Sequence, residues 1–344
     1  DRALAARGLT LGHVPQSYEW ASLGGCVATR SAGQVSTGRG RIDSNLVAAR
    51  CATPLGELAT IDAPASAAGP ALRQLVAGSE GTLGVITQVA LRVHRLSEQQ
   101  RFEGWLVPGF EPGCDALRAL AQAGVAPDVA RLSDEPETRY TFAFAGAHRI
   151  VAGAVGRRCL LICGWEGSYD SVTRRRREAA RILRRVGGRY VTQRVGREWV
   201  ASRFAGPHLR DGLMDRGVMV ETLETATSWS NLADLHDAVS GALEGTLAGC
   251  HVSHLYPTGA SLYFTVFARA DDNDPAGQWR TLKDAATEAI VAAGGTITHH
   301  HAIGRDHARW LAAEDGPLGV EVLRAAKERC DPTGIMNPGK LLPA

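Results

Sequence analysis

Three consecutive histidines, His299, His300 and His301, stand between two glycine-bearing turns and are well suited to proton chemistry. Their segment is predicted to be a short strand that enters a loop. Because adjacent side chains of an extended segment point to opposite faces, His299 and His301 are expected to share one face while His300 points to the other. This geometry favours a pocket lined by imidazoles over a metal site, because no Cys or carboxylate stands at ligand spacing. The alternative is a solvated polar loop.

Two stretches of the first hundred residues, at 23–33 and 78–87, are rich in glycine and other small residues. So many small side chains together indicate that the backbone approaches another group closely. Backbone amides without bulky side chains are good hydrogen-bond donors to an anionic or heteroaromatic ligand. The alternative is a tightly turned, β-rich domain that binds no ligand.

Composition limits the classes of function. The chain has 344 residues, enough for two domains, and its formal net charge of +2 gives no basic field for nucleic acid. The arginine run at 174–177 is interpreted as the solvated face of a helix. The seven cysteines are odd in number and scattered, which favours reduced thiols in the cytoplasm. No apolar run approaches the ~20 residues of a membrane span.

Beyond residue 100, patterns typical of strands alternate with patterns typical of helices. Strands are predicted at 102–107, 128–132, 159–165, 218–225, 250–256 and 260–267, and helices at 114–123, 135–145, 169–186, 231–243, 279–293 and 318–330. The last two strands are expected to form a hairpin that places Tyr263 on the same face as Ser261 and Thr265. This order predicts a sheet with helices packed on one face.

Four segments of the chain resemble loops of the flavoproteins of the vanillyl-alcohol-oxidase type. They are Pro15-Gln16-Ser17, residues 24–33, residues 78–87 and the final stretch from Asp331 to Lys340. In that family these loops wrap FAD, so the resemblance implies a PCMH-type FAD-binding domain with FAD as its cofactor. The residues implied to contact FAD are Pro15, Gln16, Ser17, Gly24, Gly25, Thr29, Arg30, Ser31, Ala32, Glu80, Gly81, Thr82, Leu83, Gly84, Val85 and Ile86.

Within that family, the chain is most similar to the alkyldihydroxyacetonephosphate synthases and their bacterial relatives. The likeness rests on the histidine triplet after two glycines and on the strand that carries Tyr263. It implies that Tyr263, His299, His300 and His301 are catalytic and that Arg210 and Arg131 bind substrate. One departure is Ala302, where that branch usually has glycine, and alanine is expected to be tolerated there if φ is negative.

The resemblance implies an α+β fold in three parts. Residues 1–96 are expected to form the later part of the FAD-binding domain, and residues 97–305 an antiparallel-sheet cap domain. Residues 306–344 are expected to form a C-terminal helical segment that returns to the FAD-binding domain. The chain opens on Asp1 and lacks the glycine-rich phosphate loop with which such enzymes begin. We therefore expect that an upstream segment is missing and that this chain alone holds FAD weakly.

Three functions are left open. The first is exchange of the acyl group of acyl-dihydroxyacetone phosphate for a fatty alcohol, as in ether lipid synthesis. The second is oxidation of a hydroxy acid or another alcohol with the same flavin. The third is a non-catalytic fragment. The expected partners are a lipid-like or hydroxy-acid substrate and no nucleic acid, and peripheral membrane contact and a homodimer stay open as alternatives.

The candidate site residues are spread over much of the sequence. Arg131, Arg210, Tyr263 and the histidine triplet are predicted to converge across the inner face of the cap toward residues 78–86. The reason is chemical, because a base acts only within about 2.6–3.2 Å of its proton or through one water. A phenol that serves as the base also needs a pKa below its ordinary value of about 10.

Overall fold

The computed structural model describes residues 1–144 and 155–342. The chain forms two compact units, one of Asp1–Leu96 with Ile297–Ala344 and one of Ser97–Thr296. The segment 297–305, which the sequence interpretation grouped with the cap, therefore lies in the first unit. Hydrogen bonds explain this grouping, because Arg41 and Glu80 bind the backbone of this segment.

The first unit is built on a small antiparallel sheet and short helices. Strand β2 is the centre of the three-stranded sheet β3-β2-β4, and β1 pairs with β5. The elements in chain order are α1 (Arg2–Ala5), β1 (Leu9–Thr10), α2 (Leu23–Ala28), α3 (Ser36–Arg39), α4 (Ile42–Asn45), β2 (Leu46–Thr53), β3 (Gly56–Ala59), α5 (Leu72–Val76), β4 (Val85–Leu91) and β5 (His94–Arg95).

Helix α2 forms where the sequence showed only a run of small residues. Ser22 caps it, since its hydroxyl accepts a hydrogen bond from the Gly25 amide at 3.0 Å. Val27 and Cys26 then become buried in the core of the first unit with Ile42. This burial and the cap offset the low helix propensity of the two glycines, which is about 1 kcal/mol per glycine.

The second unit contains a seven-stranded antiparallel sheet in the order β10-β12-β11-β7-β8-β6-β9. The predicted antiparallel sheet and the hairpin of its last two strands are confirmed. The elements are β6 (Gln99–Val107), α6 (Phe110–Gln122), β7 (Val129–Ser133), α7 (Glu135–Phe144), β8 (Cys159–Gly167), α8 (Tyr169–Arg185), β9 (Arg189–Thr192), α9 (Gln193–Ser202), α10 (Gly206–Met214), β10 (Val218–Ser228), the 3-10 turn Trp229–Asn231, α11 (Leu232–Ala242), β11 (Leu247–Leu255), β12 (Gly259–Arg269) and α12 (Pro275–Ala292). Ala145, the predicted end of α7, lies outside the described residues.

Helices α6, α8, α11 and α12 share one hydrophobic core with the sheet, which includes Trp105, Leu161 and Leu262. Two further helices pack against the other face. A Cβ at Gly196 of α9 would lie 2.4 Å from the Glu103 amide nitrogen, so α9 rests directly on β6. Helix α7 packs on β11 in the same way at Gly249. The sheet is therefore covered more fully on the first face than on the second.

After the second unit, the chain continues with the 3-10 turn Ala308–Trp310 and α13 (Leu311–Cys330). Helix α13 is broken at Gly316, whose φ is 74°, and at Pro317, so the regular helix begins where the sequence predicted it. Beyond it, Asp331 accepts hydrogen bonds from Lys327 and from the Met336 amide. Among the described residues, none of the helices is both long and apolar enough to cross a bilayer.

Gly249 sets how closely α7 approaches the sheet. A Cβ there would lie 2.7 Å from Tyr140 Cε1 and 2.9 Å from Glu137 Cα. We expect Gly249→Ala to lower the free energy of unfolding by about 1–3 kcal/mol, because the helix must move away from the strand. Chemical denaturation measures this change. Gly241→Ala is the control: it is exposed on α11 with nothing within 4 Å, so it should be neutral or slightly stabilising.

Candidate functional site

The two stretches of small residues lie side by side in the first unit. The Gly78 amide donates to the Val27 carbonyl at 3.0 Å, and the Glu80 amide donates to the Ala28 carbonyl at 2.8 Å. Arg30 strengthens this contact, since its guanidinium donates to the carbonyls of Gln74 and Ala77, just before the second stretch, at 2.8 and 2.9 Å. The structure therefore joins two of the four loops that resemble FAD-wrapping segments.

The loop at Pro15-Gln16-Ser17 is held by the end of the first stretch. The Gln34 amide donates to the Val14 carbonyl at 3.1 Å, and His13 Nε2 lies 2.7 Å from Ser31 Oγ. Gly33 is required at this contact, because a Cβ there would lie 2.6 Å from the Val14 nitrogen. A third predicted FAD loop is thus fixed against residues 31–34.

Glu80 connects the second small-residue stretch to two later segments of the first unit. Its carboxylate accepts hydrogen bonds from the Ile303 amide at 2.7 Å and the Gly304 amide at 2.9 Å. Its main-chain carbonyl accepts a hydrogen bond from the Asn337 side chain. Burial raises the pKa of Glu80, although these amides oppose the shift. The C-terminal loop, the fourth predicted FAD loop, is therefore fixed at the same point.

The histidine triplet does not form the predicted strand, and that expectation is wrong. The residues lie in bends, with His299 buried, His300 half-buried and His301 exposed. The Nδ1 atoms of His299 and His300 are 3.0 Å apart, so these adjacent imidazoles meet on one side of the backbone. Two features set this bend: Arg41, distant in the sequence, donates to the His299 carbonyl at 2.6 Å, and Ala302 has a left-handed backbone.

Ala302 has a φ of 74°, so the condition on which alanine was expected to be tolerated, a negative φ, is not met. A left-handed backbone brings the Cβ of an alanine close to the carbonyl oxygen that follows it. Glycine has no such atom, which explains why the related branch usually has glycine at this position. The position is strained because the Glu80 carboxylate holds the next two amides.

In the second unit, a row of polar residues crosses four neighbouring strands. Ser133, His251, Tyr263 and Glu224 stand directly opposite one another in β7, β11, β12 and β10. Leu262, the neighbour of Tyr263 along β12, lies in the core beneath the main helices. Because side chains alternate along a strand, the row lies on the other face of the sheet. The predicted hairpin, with Tyr263 on the same face as Ser261 and Thr265, is consistent with this register.

Glu137 of α7 is the charged centre of this face. Arg131 donates to Glu137 Oε1 at 2.8 Å, and His251 Nδ1 lies 3.0 Å from the same oxygen. Burial opposes the charge of Glu137, but the Arg131 guanidinium and the His251 ring hold its pKa well below its ordinary value. Burial and Arg131 lower the pKa of His251, so the neutral ring donates its Nδ1 proton to Glu137.

Tyr263 stacks on the His251 ring, with centroids 4.9 Å apart and planes inclined at 24°. Burial raises the pKa of Tyr263, and the Glu224 carboxylate raises it further, although a hydrogen bond with Thr222 opposes the shift. The lowered pKa that Tyr263 would need to act as a base is therefore not found in this structure. At neutral pH the phenol keeps its proton.

The two arginines implied to bind substrate differ in their surroundings. Arg131 is joined to buried Glu137, while Arg210 lies on α10 and forms an exposed ion pair with Asp211 at 2.9 Å. The structure brings Arg131 and Tyr263 into one cluster. The convergence of the whole predicted site stays a prediction.

Sequence reasoning missed Glu137 and His251. A signal for His251 was present, because a hairpin centred on Pro257 places it opposite Tyr263. Glu137 carried no such signal, since it looks like an ordinary acidic residue in the first turn of a helix.

The first unit leaves polar atoms available for a ligand beside the joined loops. Among the described residues, Ser79 Oγ and His13 Nδ1 are buried without a hydrogen-bond partner. Buried polar groups are ordinarily satisfied, so these two atoms are left for a partner that the chain itself does not supply. The backbone of these glycine-rich loops adds donors that suit an anionic or heteroaromatic group. The residues present therefore fit FAD.

Comparison with known proteins agrees with this assignment. Residues 96–341 match the family model described as FAD linked oxidases, C-terminal domain, and residues 1–62 match that of an FAD binding domain. The fold and the loops thus define an FAD-dependent flavoprotein. The chain belongs to the FAD-linked oxidase family, and FAD is the cofactor of that family.

The chain is similar to several relatives along its whole length. It is 32% identical to alkyldihydroxyacetonephosphate synthase of Dictyostelium discoideum, covering 100% of this chain and 60% of that protein. It is 30% identical to the uncharacterized FAD-linked oxidoreductase YgcU of Escherichia coli (strain K12), covering 100% of this chain and 73% of that protein. A solved alkyldihydroxyacetonephosphate synthase matches with a TM-score of 0.77 and 29% identity, over 98% of this chain and 61% of the other.

Ala302 gives a direct test of backbone strain. We expect Ala302→Gly to raise the free energy of unfolding by about 0.5–1 kcal/mol, because relief of strain exceeds the added entropy of the unfolded chain. Thermal or chemical denaturation measures it. The control is Ala325→Gly on the exposed side of α13, where the same change should destabilise by up to ~1 kcal/mol. Equal destabilisation at both positions would contradict the left-handed turn.

His13 predicts a pH dependence of stability. Burial lowers the pKa of His13 to about 4, although Asp43 opposes the shift. The unfolded chain takes up the proton near pH 6.5, so stability should fall by about 3 kcal/mol between pH 6.5 and 4. Chemical denaturation of the whole protein at several pH values tests this. In His13→Gln the free energy of unfolding should fall less steeply over that pH range. An equal fall in the variant and the parent protein would contradict the prediction.

Proposed function

We propose that this protein is an FAD-dependent enzyme of the alkyldihydroxyacetonephosphate synthase type. The reaction exchanges the acyl group of acyl-dihydroxyacetone phosphate for a fatty alcohol. The carbon–oxygen bond to the leaving fatty acid breaks, a new one to the alcohol forms, and the alcohol loses its proton, so there is no net oxidation. The observation that carries the proposal is the 32% identity to such a synthase over the whole of this chain.

The side chains suit parts of this chemistry. Tyr263 keeps its proton and donates a hydrogen bond to the oxygen of a reacting carbonyl. As negative charge develops on that oxygen the phenol gives it the proton, and it takes the proton back as the charge is lost. The Nδ1 atoms of His299 and His300 are 3.0 Å apart, close enough for a proton to pass between the two imidazoles. Bound FAD would supply the reactive ring for the exchange, with no net change in its oxidation state.

Arg210 is the proposed ligand of the substrate phosphate. Its guanidinium is exposed and forms a surface ion pair with Asp211. An exposed ion pair contributes about 0–1 kcal/mol, so exchange of this partner for a phosphate costs little. The planar fork of donors matches two oxygens of a phosphate or a carboxylate equally well. Arg131 is the proposed second substrate ligand, although buried Glu137 already binds it.

A second function is supported by the similarity to YgcU, named an FAD-linked oxidoreductase. In this alternative the same side chains serve the oxidation of a hydroxy acid or another alcohol. Anaerobic addition of a hydroxy acid would bleach the flavin, and electrons would then pass to oxygen or a dye. Ether product without bleaching favours the first function, and bleaching without ether product favours the second.

The third reading, a non-catalytic fragment, is tested by the visible spectrum of the purified chain. A flavin band supports the enzymatic proposals, and a colourless protein that stays colourless with added FAD supports the fragment.

For the enzyme we also propose a cytoplasmic location with peripheral membrane contact, because the fatty substrates partition into membranes. A homodimer is proposed as its assembly.

Tyr263→Phe tests the proposed function most directly. We expect turnover of acyl-dihydroxyacetone phosphate with a fatty alcohol to fall by about 10²–10⁴-fold, because the ring stays while the proton-carrying hydroxyl is lost. Chromatography of the ether product from FAD-loaded protein measures this. Tyr169→Phe, at an exposed tyrosine that begins α8, is the control and should leave turnover unchanged. A Tyr263→Phe variant with unchanged turnover would remove the assigned role.

A further inference from the structure

The face of the sheet that carries Tyr263 contains one feature that the proposed function does not use. His251 is buried, and one of its ring nitrogens is bound to Glu137 at 3.0 Å. Its ring face is stacked on Tyr263 with centroids 4.9 Å apart. A single imidazole thus joins a buried carboxylate to the candidate catalytic phenol.

Glu137 is itself fixed from several directions. Arg131 donates to its Oε1 atom at 2.8 Å, and the Tyr140 hydroxyl donates to the same atom at 3.3 Å. The Glu137 amide also donates to Asp134 at 2.8 Å, which fixes the start of α7. With Glu137 held in this way, the ring of His251 has one preferred orientation.

The consequence for Tyr263 follows from packing. A tyrosine on the less covered face of a sheet can turn about its first two side-chain bonds, and the loss of one fixed orientation weakens catalysis. The His251 ring covers one face of the phenol. On the other neighbouring strand, Thr222 binds its hydroxyl and Glu224 stands opposite it.

We propose that His251 and Glu137 form a positioning pair that holds the phenol ring of Tyr263 in one orientation for the reaction. The proposal rests on the proposed function for its catalytic consequence, but the orientation of Tyr263 is measured without substrate. His251 is a positioning residue, because it acts through Tyr263. The Glu137–Arg131 ion pair keeps His251 in place.

The first experiment follows the phenol itself. The chain is labelled with 3-fluorotyrosine, and the Tyr263 signal is assigned by its loss in Tyr263→Phe. In His251→Ala this fluorine signal should shift and narrow, because the stacked ring is gone and the phenol rotates more freely. His251→Phe keeps a flat ring and should restore most of the line shape. A Tyr263 signal that is unchanged in His251→Ala would overturn the proposal.

Glu137→Gln tests the second member of the pair. It weakens the hold on the imidazole while keeping the size of the side chain, so the Tyr263 signal should shift in the same direction as in His251→Ala, by a smaller amount. Asp128→Asn is the matched control, because Asp128 forms a comparably buried ion pair with Arg175 at 3.0 Å in the same unit. It should leave the Tyr263 signal unchanged. Equal shifts in both variants would indicate a general loss of structure and overturn the proposal.

Kinetics of FAD-loaded protein connects the orientation to function. We expect His251→Ala to lower kcat by about 10–100-fold with little change in KM, and His251→Phe to recover much of the loss. If the fluorine signal moves but kcat does not, positioning stands and the catalytic role of Tyr263 in the proposed function fails. If kcat falls equally in His251→Phe and His251→Ala while the signal is unchanged, the positioning pair is wrong.

Discussion

The carboxylate of Glu80 is the contact on which the first unit depends. It accepts two backbone amides, of Ile303 and Gly304, which lie more than two hundred residues later in the chain. Its own amide and carbonyl bind Ala28 and Asn337. Four separate segments therefore meet at one residue, and they include three of the loops that resemble FAD-wrapping segments. Because a buried carboxylate needs such partners, each segment has a fixed position.

In the second unit, a buried carboxylate on the less covered face of the sheet likewise depends on its partners. Glu137 is buried, and it stays ionised because Arg131 and His251 contact it. A buried charge without partners would cost several kcal/mol, so these three residues must be kept together. The same contacts stack His251 on Tyr263. Stability of the fold and the arrangement of the candidate catalytic residue thus share one set of interactions.

Most of the regular elements of the second unit could be predicted from the sequence, because their periodicity is strong. Strand β8 begins at the predicted Cys159, and α13 becomes regular at the predicted residue after Pro317. Helices α2, α9 and α10 were not predicted. Helix α2 depends on burial of Val27 and a cap from Ser22, and α9 depends on close contact at Gly196. Tertiary contacts outweigh local propensity in these places.

The sequence by itself determined the family, its FAD cofactor and the residues of β12 that share a face with Tyr263. These follow from local motifs and from the two-residue period of a strand. Only the tertiary structure decided that Ala302 is left-handed, that His299 and His300 meet, and that the pKa of Tyr263 is raised. Each of these depends on a partner distant in sequence or on burial. Burial and long-range partners arise only when the chain is folded, so no local pattern encodes them.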